Sequence, residues 1–441
     1  MTGALLALGY TALLLLLMQR SRFFTEVPGL PMRWVAGVFL LKILAGTALW
    51  AIYTYLYTDR ATADVFKYFD DSAHMFKALH ERPVDYLRML FGIGNDTPEF
   101  LARYYAEMNN WERHFESNLY NDAHTIIRYN AVVRLISFGE FHVHTVVSAF
   151  LSLTGMVGIH RAFVRSLPGL ERILAAVVFL LPSVLFWASG VIKECLLFFG
   201  LGLLIYLLDR LFRERILWYD APLLAFILVL LFFLKFYVLM SMIPALVLFA
   251  WARRSKRPWL GVKALFVYSA FILLGLNLHH LIPGLDVLGI LTMKQRDFIG
   301  LALKMNSGSF VMPELLLPDP LLFIRQAPYA LYITLLGPLV HAGPGALGLI
   351  SAGENLAFVL FLVSCIIYRR PWTNVDRTLV ISLCCYVVML ALVIGWTTPV
   401  MGAIVRYRTP LLPFLLIIGL LLVDRERVLR RWPSLKPFIS A

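Results

Sequence analysis

Apolar runs of roughly twenty residues recur along this chain, and a run of that length, coiled as a helix, crosses about 30 Å of hydrocarbon. Eleven candidate spans are read at 1–18, 34–57, 143–163, 173–190, 192–209, 221–236, 238–252, 261–279, 345–368, 378–396 and 409–423. The two between 221 and 252 are close to the minimum length and must be tightly joined. Of the 441 residues 60% are hydrophobic and only 15% charged, and mean hydropathy is +0.76. A water-soluble chain carries about 25% charged residues, so a soluble fold is excluded. The expected fold class is all-α: a single polytopic transmembrane helical bundle of about eleven spans over 1–441. Residues 1–18 lack the basic start and small-residue cleavage site of a signal peptide, and are read as a retained first span.

A net charge of +13 on a soluble protein would raise nucleic-acid binding, but its distribution argues for no nucleic-acid partner. Residues 58–142 hold nine basic and thirteen acidic side chains, a net of −4. The excess of positive charge sits in short turns, at Arg20/Arg22, Arg161/Arg165, Arg210/Arg213/Arg215, Arg253/Arg254/Lys256/Arg257, Arg369/Arg370 and Arg425/Arg427/Arg430/Arg431. Clusters of this kind mark cytoplasmic turns. With eleven spans the termini lie on opposite sides, and an outside N-terminus puts every cluster inside. That orientation places two long regions outside, 58–142 and 280–344.

The first outside region has an apolar stripe at Phe66, Phe69, Ala73, Phe76 and Leu79, spaced by three or four, which predicts amphipathic helices at the membrane surface. The second is interrupted at Pro283, Gly284, Pro313, Pro318, Pro320, Pro328 and Pro338, which break any long helix, and its apolar stretch 327–340 reads as re-entrant or interfacial. The four cysteines fall inside apolar segments and read as core. His142 and His144 lie two apart near the start of a span, on different helix faces, and make no metal site alone.

Several charged residues can carry chemistry. Asp70 and Asp71 stand about a dozen residues past the second span and open a predicted helix. A carboxylate there can act as general base toward a hydroxyl at the membrane surface, or simply cap the helix. Lys193 and Glu194 end the turn Pro182-Ser-Val-Leu-Phe-Trp-Ala-Ser-Gly-Val-Ile-Lys-Glu. Charge at membrane depth is expensive and faces a cavity or a partner, so Lys193 can meet a lipid phosphate while Glu194 orients a hydroxyl or a neighbouring arginine. The bland reading is an interfacial ion pair. Lys235, flanked by aromatic residues, is a second anion ligand or a lysine snorkelling outward. Arg406 and Arg408, in Arg-Tyr-Arg-Thr-Pro before the last span, violate the charge bias of an outside turn. Arginine's planar fork suits phosphate oxygens, and contact with anionic headgroups is the alternative. Arg325 and Glu354 are weaker candidates, without a motif.

With these residues in view, the chain resembles the GT-C superfamily of membrane glycosyltransferases in its layout from about 34 to 423. Three short segments carry the resemblance: Asp70-Asp71 followed by a helix in a long first outside loop, the Pro-Ser-x-x-x-Trp to Lys-Glu turn at 182–194, and Arg-Tyr-Arg-x-Pro at 406–410. The chain departs from the superfamily in an extra span ahead of the loop-bearing one and in lacking a large C-terminal soluble domain. The resemblance implies a sugar donor linked to polyprenyl phosphate, a lipid or glycan acceptor, Asp70 as base, and inversion at the anomeric carbon by direct attack. Lys193, Arg406 and Arg408 would then stabilise charge on the departing phosphate. No cofactor is certain, and dependence on a divalent metal is undetermined. The implied setting is the lipid bilayer of a bacterial inner (cytoplasmic) membrane, in cell-surface glycan or glycolipid assembly. A flippase or transporter of lipid-linked glycans is the alternative from another class, with charged or broken helices near the midplane as its mark. A polysaccharide polymerase or ligase would perform the same chemistry on larger acceptors.

Overall fold

The computed structural model describes residues 2–112, 115, 117, 120–213, 217–255, 259–341 and 345–439, so Arg215, Lys256 and Arg257 of the basic turns lie outside the described residues. Among the described residues the architecture is wholly helical, with two isolated bridges and no strand. Two compact units divide the chain: 1–114 with 120–236, and 115–119 with 237–441.

At the heart of the first unit, helix Phe141–Val164 lies along helix Lys193–Arg213. Glycines make that approach possible, because a side-chain carbon at Gly155 would run into the Phe198 carbonyl and one at Gly202 into the Gly155 carbonyl. Small residues at helix contacts let backbones close up where lipid provides no hydrophobic drive. Helix Met32–Tyr55 packs on the same core through Gly46, which sits against the Ser189 carbonyl. Helix Thr2–Arg20 lies against Phe141–Val164 with most of its surface exposed, as befits a lipid-facing span. Above them the first loop folds into helices Asp64–Glu81, Pro83–Phe91 and Ala123–Ser137.

In the second unit helix Pro320–Leu335 pairs with helix Arg377–Thr397; Gly395 abuts the Ala330 carbonyl and Thr334 Oγ1 donates to the Ala391 carbonyl at 2.9 Å. Helix Gly345–Ile367 packs on Leu412–Leu422 through Gly419, which faces Phe361 and Cys365. Gln295, on helix Val287–Lys304, reaches the carbonyls of Glu314 and Trp396 and accepts from Leu316 N, which ties the irregular stretch after that helix to the bundle.

By length and composition, eight described helices can cross a membrane, or nine if the pair Met401–Tyr407 and Leu412–Leu422, bent by 61°, is one span, beside the eleven candidates read from the sequence. Several local expectations are corrected. The candidate at 173–190 is two short helices, Glu171–Phe179 and Pro182–Trp187, because proline starts a helix but cannot continue one. The candidates at 221–236 and 238–252 are one helix, Asp220–Arg254, interrupted at Lys235 by non-helical backbone (φ −152°, ψ 74°). Its 35 residues would stretch roughly 52 Å if straight, far beyond the hydrocarbon, so the break is required for both halves to be embedded. Pro328 interrupts nothing and lies inside helix Pro320–Leu335. In helix Asp64–Glu81, Phe66 and Phe69 are buried in the unit and do not face the bilayer.

Gly155→Ala and Gly202→Ala are each expected to destabilise the detergent-solubilised protein by about 1–3 kcal/mol through overpacking. Gly9→Ala, whose added carbon meets nothing within 4 Å, serves as the control. Unchanged melting of both core variants would refute the glycine-mediated contact.

Candidate functional site

The charged residues singled out in the sequence divide between the two units. In the first unit, Asp70 and Asp71 stand two turns inside a helix that begins at Asp64 with Ala63 in the capping position, so neither aspartate is an N-cap. Consecutive residues on a helix point about 100° apart, and the two carboxylates accordingly do different things. Asp71 is buried and accepts from the backbone N–H groups of Asn109 and Asn110 at 2.7 and 2.8 Å. Desolvation raises its pKa against the opposing pull of those two bonds and of His74. Its carboxylate fastens the middle of the first loop to helix Asp64–Glu81. Asp70 is 35% exposed, and Arg60 grips both its oxygens at 2.6 and 2.8 Å while lying over the Phe66 ring.

Lys193 is the first residue of its helix, where a buried non-helical stretch, 188–192, gives way to helix Lys193–Arg213. Its Nζ donates to Asp122 Oδ1 at 2.7 Å and stands 5.1 Å from the centre of the Tyr68 ring. Glu194, one residue on, meets Lys235 Nζ at 3.3 Å, with both side chains buried. Lys235 therefore turns inward to a carboxylate and does not snorkel. The break at Lys235 leaves carbonyls without helical partners, and the first loop supplies them: Tyr120 OH donates to the Phe232 carbonyl and Thr125 Oγ1 to that of Phe233, at 3.1 Å. Half-buried Tyr53, Phe141, Phe186 and Trp187 pack around Leu49, Val65 and Ile192, the last of these adjoining Lys193.

The first loop brings its own order. Trp111 is stacked between Tyr105 at 4.5 Å and His124 at 4.1 Å, so both faces of the indole are covered and neither can platform a sugar ring. Burial holds the His124 imidazole down at about 4, against the opposing pull of the Trp111 carbonyl it contacts. Deeper, Asn130 donates Nδ2 to the Ile126 carbonyl, so its Oδ1 accepts from His144 Nδ1, and His144 Nε2 accepts from the Ser137 hydroxyl. The order resembles a nucleophile, base and orienter. All three residues are fully buried, however, and the relay serves to lock helix Ala123–Ser137 onto Phe141–Val164.

In the second unit Arg408 is fully buried, which removes contact with headgroups as its role. Its Nη1 donates to Asn355 Oδ1 at 2.6 Å and to the carbonyls of Thr334 and Leu335 at 3.3 Å, closing the C-terminal end of helix Pro320–Leu335. Its Nε and Nη2 find no hydrogen-bond acceptor among the described residues. Arg406 is half-buried in the last turn of helix Met401–Tyr407, and Glu354 is buried on helix Gly345–Ile367. Arg325 is exposed and bonded to Glu314, which also receives Gln326.

Sequence reasoning missed three participants. Asp122 sits where a helix cap is expected, and its side chain goes to Lys193. Arg60 had no pattern to mark it. Lys42 is fully buried inside span Met32–Tyr55 and donates to the Ala188 carbonyl at 3.2 Å; a lone lysine within an apolar run was its available signal. No three His, Cys, Asp or Glu side chains gather for a metal among the described residues. The fold is that of a multi-pass integral membrane protein. Comparison of the chain with protein-family models, curated proteins and solved structures gives no match.

Two outcomes follow. Replacing Arg408 by Ala orphans two buried acceptors, the Thr334 carbonyl and Asn355 Oδ1, at about 1–3 kcal/mol each, so the melting temperature of the variant is expected to fall clearly. A wild-type melting curve would show that Arg408 does not hold the fold. His124 has a folded pKa of about 4 against an ordinary 6.5, so the unfolded loop binds the proton more tightly. The order of residues 105–112 and 120–125 is therefore expected to be lost progressively as pH falls from about 6.5 toward 4. Hydrogen exchange of those segments should accelerate over this window in the wild type and show a flatter pH dependence in His124→Gln.

Proposed function

We propose that the protein is a membrane transferase that moves a sugar from a polyprenyl-phosphate-linked donor to a hydroxyl of a lipid or glycan acceptor at the outer face of the membrane. The reading is supported above all by the pair Asp122 and Lys193, a carboxylate 40% exposed and a lysine 10% exposed at the buried start of a spanning helix. An amino group there suits a lipid-borne phosphate, since helix N-termini and cations both favour anions. A phosphate that takes Lys193 competes with Asp122 for that amino group and brings the reacting centre beside the Asp122 carboxylate. The acceptor oxygen attacks the anomeric carbon, its proton passes to that carboxylate, and the bond from carbon to phosphate oxygen breaks with its electron pair on the phosphate, where Lys193 stabilises the charge. Asp70, the base that the resemblance to the GT-C superfamily implies, is open to the same role once Arg60 releases it. Asp71 is not suited to it, because its oxygens hold the loop.

A second reading, a flippase of lipid-linked glycans, draws support from the backbone breaks at 188–192 and at Lys235 and from the buried Lys42, since discontinuous helices and intramembrane charge are features of transport folds.

Purified protein in vesicles, given a polyprenyl-phosphate sugar and a hydroxyl acceptor pool, tests both readings. Transfer lost in Asp122→Asn but kept in Asp70→Asn assigns the base to Asp122; the reverse assigns it to Asp70. Lys193→Ala is expected to weaken polyprenyl-phosphate binding roughly ten- to a hundredfold, the worth of one charge-assisted hydrogen bond of about 1.5–3 kcal/mol. Transfer at wild-type rate in all three variants overturns this assignment of the site. Lipid translocation without any sugar transfer establishes the flippase.

A further inference from the structure

A continuous apolar face crosses the outside of the first loop's helices, and it is not the one that the sequence pattern marks. On helix Pro83–Phe91, Tyr86 and Met89 are buried, while Leu87 is 49% and Phe91 68% exposed. Beyond the helix, Ile93 is 69% exposed. The buried side of that helix is tied along helix Ala123–Ser137, through Tyr86 OH to the Ala131 carbonyl at 3.1 Å and Arg128 Nε to the Met89 carbonyl at 2.8 Å. Helix Ala123–Ser137 in turn exposes Val132 and Leu135, one turn apart, and ends on Phe138, exposed at 75% in left-handed backbone. Two helices held side by side thus present large apolar side chains where a water-facing loop would carry polar ones.

We infer that this face is immersed in the lipid bilayer, in the leaflet where span Phe141–Val164 begins, so that the first loop is partly embedded in the membrane. Continuity with the spanning helices is what selects lipid as the occupant. Phe138 lies three residues before that span starts. The Ile136 carbonyl accepts a hydrogen bond from Tyr10 OH at 2.7 Å, and Tyr10 is in the interior of helix Thr2–Arg20, an apolar candidate span of which 6% is buried. The last turn of helix Ala123–Ser137 is therefore level with apolar positions of a membrane helix, and the surface running from it is at the same boundary. An amphipathic helix that buries its apolar side among acyl chains is a stable arrangement at that depth. The inference stands whether or not the protein transfers sugars, and whichever way the chain is oriented.

The test uses the full chain reconstituted in phosphatidylcholine vesicles, with an environment-sensitive fluorophore on Leu87→Cys, Phe91→Cys or Leu135→Cys and on Lys77→Cys, an exposed position of helix Asp64–Glu81. The unsubstituted protein corrects for labelling of the native cysteines. At positions 87, 91 and 135 we expect blue-shifted emission, quenching by spin-labelled lipid and loss of quenching by aqueous iodide; Lys77→Cys should show the opposite. Iodide quenching of all three positions equal to that at Lys77→Cys overturns the inference. Protection from both quenchers overturns it as well, because the face is then covered by protein. Three separate positions keep the test decisive if one labelled variant fails to fold.

Discussion

Inside a bilayer a helix that stops must give its last carbonyls to something other than water. That requirement organises this protein. Three interruptions are answered by side chains from elsewhere in the same unit. Lys42 donates to Ala188 at the end of helix Pro182–Trp187, Tyr120 and Thr125 donate to Phe232 and Phe233 at the Lys235 break, and Arg408 donates to Thr334 and Leu335 at the end of helix Pro320–Leu335. Without such donors each interruption would leave backbone carbonyls unpaired away from water.

The same requirement explains why so many buried charges are tolerated. A buried cation is costly alone, and removing one partner of a buried pair is typically worth several kcal/mol. Here the cations sit on carbonyl ends or opposite carboxylates. Lys193 and Glu194 illustrate the economy of a helix start: adjacent residues pointing in different directions hold the first loop through Asp122 and helix Asp220–Arg254 through Lys235. A change at either residue is thereby felt in the loop and at the helix break together.

Much of the membrane architecture was legible because hydropathy acts over twenty residues and tolerates local detail. The spans at Met32–Tyr55, Phe141–Val164, Lys193–Arg213, Leu260–Leu281, Gly345–Ile367 and Arg377–Thr397 lie within a few residues of their apolar runs. The interrupted ones were not legible in that way. Hydropathy does not register a proline that starts a helix, as at Pro182, or a lysine whose backbone leaves helical geometry, as at Lys235. At the candidate site, residue type was readable and partnership was not. The cap reading of Asp70 and Asp71 fails because their helix starts six residues earlier, at Asp64. The stripe of Phe66 and Phe69 has the correct period for an amphipathic helix, but period alone does not say whether its apolar side meets lipid or protein. Arg134 settles it, since its guanidinium lies over Phe69 and donates to the Phe69 carbonyl and to Ser72.

What each carboxylate already holds separates catalytic candidates from structural ones. Asp71 holds backbone N–H groups, which a substrate cannot replace without unfolding the loop. Glu194 holds a buried lysine on a helix break, and releasing it would separate two opposite charges that are both buried. Asp122 and Asp70 hold cations from partly exposed positions, 40% and 35% open, where water or an incoming anion can reach them. Ion pairs that exchange partners in this way keep a charged site neutral until an anionic ligand arrives. In a membrane, where an uncompensated charge beside the acyl chains is expensive, that is a physical reason for a carboxylate and an amino group to be held as one pair.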